Sequence, residues 1–323
     1  MRRRTLLAAT LALPATARAQ APVQLRVSTA APPTDFLSRA LEQMKTEVAA
    51  ADSALRMEVY PAGTLFKQGT EVPALQRGTL EMSTMTTFEV AQQMPEYGVF
   101  NRGYLFRDYD HLRRVFDGPI GAEYIKAVAA KMDIQILATA YLGTRHVNLR
   151  KKREVRTPAD LAGTRMRMPA GPEWLLLGRA IGVSPVPLGM AEVYLSLKTG
   201  TIDGQENPLT ILNAAKLYEV SEQVVLTSHM VQPVFINIAA RAWAKLSPAQ
   251  QDTLRAAAVA AGKSNDTMRL ADEAGVVDGL KSRGLAVSTP DLAAFRAEAD
   301  KVYGSSDAAK AWDPALTKKL LDA

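Results

Sequence analysis

Residues 190–208 read Met-Ala-Glu-Val-Tyr-Leu-Ser-Leu-Lys-Thr-Gly-Thr-Ile-Asp-Gly-Gln-Glu-Asn-Pro, and their order decides the class of the fold. Ala191, Val193, Leu195 and Leu197, with Tyr194 among them, suit a mostly buried helix. Gly200 stands where a helix C-cap glycine would, with positive φ open to it. Thr201–Asp203 is expected as a short strand, and Gly204 through Pro208 bring polar side chains to its C-terminal end. Ligands in open α/β sheets bind at that end of the strands. Helix, glycine turn, strand and polar cluster together describe the edge of a ligand site.

Outward from this segment, strand and helix patterns alternate. Strands are expected at Val23–Ser28, Leu55–Tyr60, Leu80–Met85, Ile134–Leu142, Arg165–Met168, Gln223–Thr227 and Val234–Ala239. Phe36, Leu37, Ala40, Leu41, Met44 and Val48 mark one face of an amphipathic helix. Further helices are expected at Val72–Arg77, His111–Met132 with an interruption near Gly118-Pro119, Trp174–Ile181 and Leu209–Tyr218. Ser247 as N-cap with Pro248 behind it opens a very long helix running to about Arg283. Thr289-Pro290-Asp291 opens another, and Arg150–Arg156 reads as an exposed basic loop. Such alternation belongs to layered α/β folds.

The first nineteen residues read as an export signal. Arg2, Arg3 and Arg4 precede the apolar run Thr5–Ala15, and Ala17-Arg18-Ala19 is a small-residue cleavage site. The apolar run is too short to span a bilayer, and Arg3-Arg4 leaves Sec and twin-arginine export both open. Of 39 basic and 33 acidic residues, this leader holds four basic ones and no acidic ones, so the remainder carries 35 against 33, a charge of +2. A near-neutral chain lacks the clustered basic face that nucleic-acid binding requires. There are no cysteines, which excludes disulfides, thiolate metal sites and thiol nucleophiles. The three histidines, His111, His146 and His229, are too dispersed for a zinc site. About 300 residues without cross-links suffice for two cores.

In Arg165-Met166-Arg167-Met168-Pro169, a strand puts both arginines on one face and both methionines on the other. Arg167 lies nearer the C-terminal end, where a guanidinium can grip a carboxylate through two hydrogen bonds; a surface or salt-bridged arginine is the alternative. Gly143-Thr144-Arg145 follows the strand Ile134–Leu142, and Arg145 is either a second anion contact or a loop arginine. Asn207 is either a ligand contact or a turn residue before Pro208. Catalytic signatures are missing: there is no G-x-S-x-G, H-E-x-x-H, P-loop or G-x-G-x-x-G. No catalytic residue, cofactor or metal is expected.

Gly163-Thr-Arg-Met-Arg-Met-Pro169, Gly182-Val-Ser-Pro-Val-Pro187 and Ala191–Pro208 stand in one order at short spacings. They resemble the DctP-type solute-binding receptors of TRAP (tripartite ATP-independent periplasmic) transporters. The likeness continues through Tyr60-Pro61-Ala62-Gly63, Leu75–Gly78, Gly143-Thr144-Arg145, Tyr218-Glu219-Val220, Thr227-Ser228-His229 and Leu246-Ser247-Pro248. It implies two α/β domains of periplasmic-binding-protein type, joined by hinge strands and a long spanning helix. Residues 20–142 with about 233–272 would form domain I, and 143–232 with about 273–323 domain II. The expected protein is a periplasmic, monomeric receptor that closes around an organic acid and delivers it to membrane permease subunits. A periplasmic enzyme or a sensor-coupled binding protein is the alternative.

By the same resemblance Arg167 is the main carboxylate clamp, and Arg145 and Asn207 complete the anion site. Thr86 and Thr87 place short hydroxyls where relatives often have a carboxylate, which speaks against an amino-sugar acid such as sialic acid. Ser28, Thr29 and Gln68 are further wall candidates, and Met190 matches an apolar wall position. Trp174 either lines the cleft or packs in the core. Glu206 is expected to tie Arg145 and His229 into a polar network that tightens on closure, the alternative being independent surface contacts. The cargo stays open among sugar acids, aromatic acids, keto acids and dicarboxylates.

Overall fold

The computed structural model describes residues 22–323; the expected export signal, residues 1–19, lies outside the described residues. The chain opens with β1 (Val23–Ser28), α1 (Phe36–Ala51), β2 (Leu55–Tyr60), α2 (Glu71–Arg77), β3 (Met82–Met85) and α3 (Thr87–Ala91). Helices α4 (Tyr109–Asp117) and α5 (Pro119–Met132) lead into β4 (Ile134–Leu149). Next come β5 (Arg165–Met168), α6 (Pro172–Ala180), β6 (Ser184–Pro187), α7 (Val193–Thr199), β7 (Gly204–Pro208) and α8 (Leu209–Ala214). Strand β8 (Gln223–Ala239), α9 (Ala240–Trp243), α10 (Pro248–Ser282), β9 (Ala286–Ser288), α11 (Leu292–Gly304) and α12 (Pro314–Asp322) complete the order.

One mixed sheet runs β2-β1-β3-β8-β4-β7-β5-β6, with β9 beside β8. Its two ends are parallel, β2-β1-β3 and β7-β5-β6, and its middle is the antiparallel pair β4 and β8. Phe235–Ile238 of β8 pair with β3, while Gln223–Val225 pair with β9. Arg145–Leu149 of β4 pair with β7. The two long strands therefore belong to both halves of the sheet. Their ladder shifts register three times, between Ile136 and Ala138, Tyr141 and Gly143, and Arg145 and Val147. Such bulges bend and twist a strand pair locally.

Helix formation follows local chemistry. Asp35 caps α1 by accepting from the Leu37 amide at 2.9 Å, and Leu37, Ala40, Leu41, Met44 and Val48 bury its apolar stripe. Ser247 and Gln250 form a reciprocal capping box at the start of α10, with Pro248 at the first helical position. At 1.5 Å per residue this 35-residue helix is about 50 Å long. It packs against α1 and β4 and, further along, against α8 and β9, so it touches both halves of the sheet. A smaller apolar cluster, including Val193, Leu197, Leu209, Leu212, Val276 and Leu280, sits apart from the main core.

Four sequence expectations need correction. The strand expected at Thr201–Asp203 is instead Gly204–Pro208, a fully buried run of polar residues between β4 and β5. Residues 201–203 form the turn before it, where Asp203 pairs with Arg165 at 2.8 Å. Strand β4 does not stop at Leu142 but continues through Gly143 to Leu149, so Arg145 is a mid-strand residue. Gly143 makes this possible at φ 126, where an added Cβ would lie 2.5 Å from the Pro208 Cβ. The strands expected at Gln223–Thr227 and Val234–Ala239 are one strand of 17 residues. Its Pro233 lies opposite Tyr141, beside a register shift where a missing amide donor is tolerated. Finally, α7 is amphipathic: Val193 and Leu197 are buried, whereas Leu195 is 63% exposed. Gly200 does cap α7, at φ 75.

Candidate ligand-binding site

A cavity of about 90 Å³ lies where the two halves of the sheet meet, large enough for a small molecule and too small for a macromolecular segment. Thr29, Gln68, Glu71, Thr84, Thr86 and Glu89 line it from the β1–β3 side. Arg167, Pro169, Trp174 and Met190 line it from the β5–β6 side, and Arg145, Asn207 and Gln232 from the three central strands. The polar strand β7 survives burial because its side chains are paired. Gln205 donates to Asn148 at 3.2 Å, Asn207 donates to Gln205 at 2.6 Å, and Glu206 meets Arg145.

Arg145 is held on every side. Its Nε and Nη2 donate to the two Glu206 carboxylate oxygens at 2.5 and 2.6 Å, and Nη1 donates to Gln232 at 2.7 Å. Its guanidinium lies 4.9 Å above the Trp174 ring. Glu206 also meets His229 Nε2 at 3.0 Å, and His229 Nδ1 meets the Thr227 hydroxyl at 2.8 Å. Burial pushes the Glu206 carboxyl up, but Arg145 and His229 overcome it and hold it at about 2. Burial depresses His229 against the pull of Glu206, so the ring is neutral. An ionised carboxylate only accepts, so His229 donates from Nε2 and accepts from Thr227 at Nδ1.

Arg167 differs. It is 1% exposed, yet Nε donates to the Leu188 carbonyl and Nη2 to the Gln68 amide oxygen, both at 2.7 Å and both neutral. Among the described residues it has no carboxylate partner. Burial lowers its pKa to about 9, with Arg145 adding like-charge repulsion and Glu206 opposing both. Gln68 also accepts from the Met190 amide at 3.0 Å, so this one side chain ties the two sides of the cavity together. The arrangement is a buried, preoriented cation facing a small cavity, and its chemical complement is an anion.

The structure gathers Arg167, Arg145, Asn207, Gln68, Thr29, Thr86, Met190 and Trp174 around the cavity. Trp174 stacks on Phe88 with ring centroids 3.5 Å apart. Thr87 and Ser28 do not line it. Thr87 is buried in the first turn of α3, and Ser28 turns its hydroxyl to the Phe66 carbonyl. Beside the Thr86 hydroxyl, two carboxylates that the sequence reading did not single out, Glu71 and Glu89, also line the cavity. Glu89 was legible as the fourth residue of a Thr86-x-x-Glu89 capping box, which α3 forms. Glu71, Gln232, Thr84 and Ile211 carried no local signal. Among the described residues no three His, Asp or Glu side chains cluster as a metal site, and no helix is long and apolar enough to cross a membrane.

The model for "Bacterial extracellular solute-binding protein, family 7" (DctP) matches residues 27–309. The sialic acid-binding periplasmic protein of Vibrio cholerae is 29% identical over 272 residues, which is 84% of this chain and 82% of that protein. The 2,3-diketo-L-gulonate-binding periplasmic protein of Escherichia coli is 31% identical over 235 residues, 73% and 71% of the respective chains. A TRAP periplasmic solute-binding protein of Roseobacter denitrificans, solved with bound 3-deoxy-D-manno-oct-2-ulosonic acid, superposes with a TM-score of 0.89 at 38% identity. That match covers 93% of this chain and 99% of the other. The mixed sheet shared between two halves is thus the two-domain periplasmic-binding α/β fold. The chain belongs to family 7 of the bacterial extracellular solute-binding proteins, the DctP receptors of TRAP transporters.

Proposed function

We propose that this chain is an exported, monomeric receptor that captures an organic acid anion in the cavity and presents it to TRAP permease subunits in the membrane. One observation carries the reading: Arg167 is buried, positively charged, and bonded only to neutral acceptors. A buried charge is costly unless it is paired, and a carboxylate entering the cavity supplies the pair. Arg167 is the clamp, Asn207 adds a donor and acceptor, and Met190 and Trp174 form apolar walls. Arg145 is already neutralised by Glu206, so it orients the site more than it attracts charge. The three relatives described above support this class of cargo, since each is named for or holds an acid.

Ligand binding drives closure in this reading. The cavity walls come from residues 20–142 with about 233–272 and from residues 143–232 with about 273–323, taken as the two domains, so only the closed form places both against the ligand. Binding then shifts an open–closed equilibrium by the difference in affinity of the two forms. The bulged, glycine-containing middle of β4 and β8 is where the bend would be absorbed. Native mass spectrometry of protein purified without dialysis, with a thermal-shift screen of organic acids, tests the reading. A retained or stabilising carboxylate is the expected result. A panel in which neutral sugars stabilise the protein and acids do not would overturn it.

A further inference from the structure

The part of the cavity wall that comes from α2 and α3 contains two carboxylates that anion capture leaves unused. Glu71 is 7% exposed, and its Oε2 accepts from the Gly69 amide at 2.7 Å. Glu89 accepts through Oε2 from the Thr86 amide at 2.8 Å and the Thr86 hydroxyl at 2.6 Å. Neither carboxylate has a cation in salt-bridge reach among the described residues. Both line the same small cavity as Arg167. The cavity is therefore lined by charges of both signs, arginines from β4 and β5 and carboxylates from α2 and α3.

Resting on the reading of Arg167 as the carboxylate clamp, we propose that Glu71, supported by Glu89, selects the far end of the ligand. It accepts hydrogen bonds from hydroxyl groups there and repels a second carboxylate. The cargo class this defines is a hydroxylated monocarboxylate of aldonate or ulosonate type, and dicarboxylates are excluded. The physical ground is asymmetric. An ionised carboxylate can only accept, so a hydroxyl satisfies it and a second carboxylate cannot. Placing two like charges together in a water-poor pocket is among the stronger means of rejecting a wrong partner. Burial and the neighbouring Glu89 also push the Glu71 carboxyl up to about 7, so Glu71 is ionised in the mildly alkaline buffer used for the test.

Matched acid pairs that differ only in the terminal group separate the alternatives: D-gluconate against D-glucarate and L-threonate against L-tartrate, with 3-deoxy-D-manno-oct-2-ulosonic acid as a further monoacid. Calorimetry at pH 8 on the full chain, as wild type, Glu71→Gln and Glu71→Asp, provides the readout. The wild type is expected to prefer the monoacid of a binding pair by about a hundredfold or more, from the size of such like-charge penalties. Glu71→Gln is expected to close most of that gap by strengthening the diacid, and Glu71→Asp to keep it. A diacid that binds the wild type within tenfold of its monoacid overturns the inference, as does unchanged discrimination in Glu71→Gln. If no acid of the panel binds but another carboxylate from the wider screen does, the inference is overturned and the clamp stands; if no carboxylate binds at all, the assignment of Arg167 fails and the inference falls with it.

Discussion

Replacing Arg167 should weaken binding while making the ligand-free protein harder to melt. The guanidinium is fixed before any ligand arrives, because the Leu188 carbonyl and Gln68 take its Nε and Nη2 at 2.7 Å. Hydrogen bonds to a charged partner contribute about 1.5–3 kcal/mol each, and about 1.4 kcal/mol is a factor of ten. Arg167→Lys keeps the charge and loses the planar fork, so acid affinity should fall roughly tenfold to a hundredfold, one bond's worth. Arg167→Met removes the charge as well, and two such bonds correspond to roughly a hundredfold to ten-thousandfold. Burial, however, holds this guanidinium at about 9 against a reference of 12.5, which marks a cation the empty protein stabilises poorly. The methionine variant relieves that cost, which is at most about 5 kcal/mol, less what is lost when the Leu188 carbonyl gives up its donor. The assay pairs titration calorimetry with the acid found by screening and a ligand-free thermal melt. Affinity of Arg167→Lys within threefold of wild type would refute the clamp. A ligand-free Arg167→Met that melts several degrees lower would show that the charge serves the fold and not the cargo.

Two other perturbations separate structural from ligand-directed charges. Glu206→Gln strands the buried Arg145 charge and should cost about 3 kcal/mol or more, together with acid affinity; unchanged melting and calorimetry would count against the network. The Glu206 carboxyl is held at about 2 against the ordinary 4.5, so its contribution is present above pH 4.5 and is lost as pH falls through 2. Acid melts of the wild type should therefore steepen in that window and those of Glu206→Gln should not. Glu173 has the opposite sign. Burial pushes its carboxyl up to about 7, so the folded state holds a proton the unfolded chain releases, and stability falls as pH rises from 4.5 to 7. Glu173→Gln should gain up to about 3 kcal/mol at pH 8 and nothing at pH 4; an equal gain at both would remove titration as the cause.

What could be read in advance depended on whether a residue's partner was near in sequence. Gly200 as a C-cap and Ser247-Pro248 as a helix start depend on neighbours within a few positions, and each stands in the structure. The strand Gly204–Pro208 was misplaced because Gln-Glu-Asn has little tendency to form strands. It forms one only because Asn148 and Arg145, some sixty residues earlier, satisfy its side chains. The continuation of β4 through Gly143 was hidden for a similar reason, since the glycine that usually ends a strand here admits the Pro208 ring. Family likeness pointed to Arg167, Arg145 and Asn207, but Glu71 lies in an unremarkable helix start and becomes a site residue only through the fold.

The stack of Trp174 on Phe88 gives the molecule an optical reporter of its own state. Phe88 follows β3 and Trp174 follows β5, so the two rings come from opposite sides of the cavity. Any widening of the cleft parts them. The other two tryptophans, Trp243 and Trp312, do not line the cavity. If the proposed closure takes place, intrinsic fluorescence of the unlabelled chain should follow it, and stopped-flow mixing with a ligand should time it without a dye.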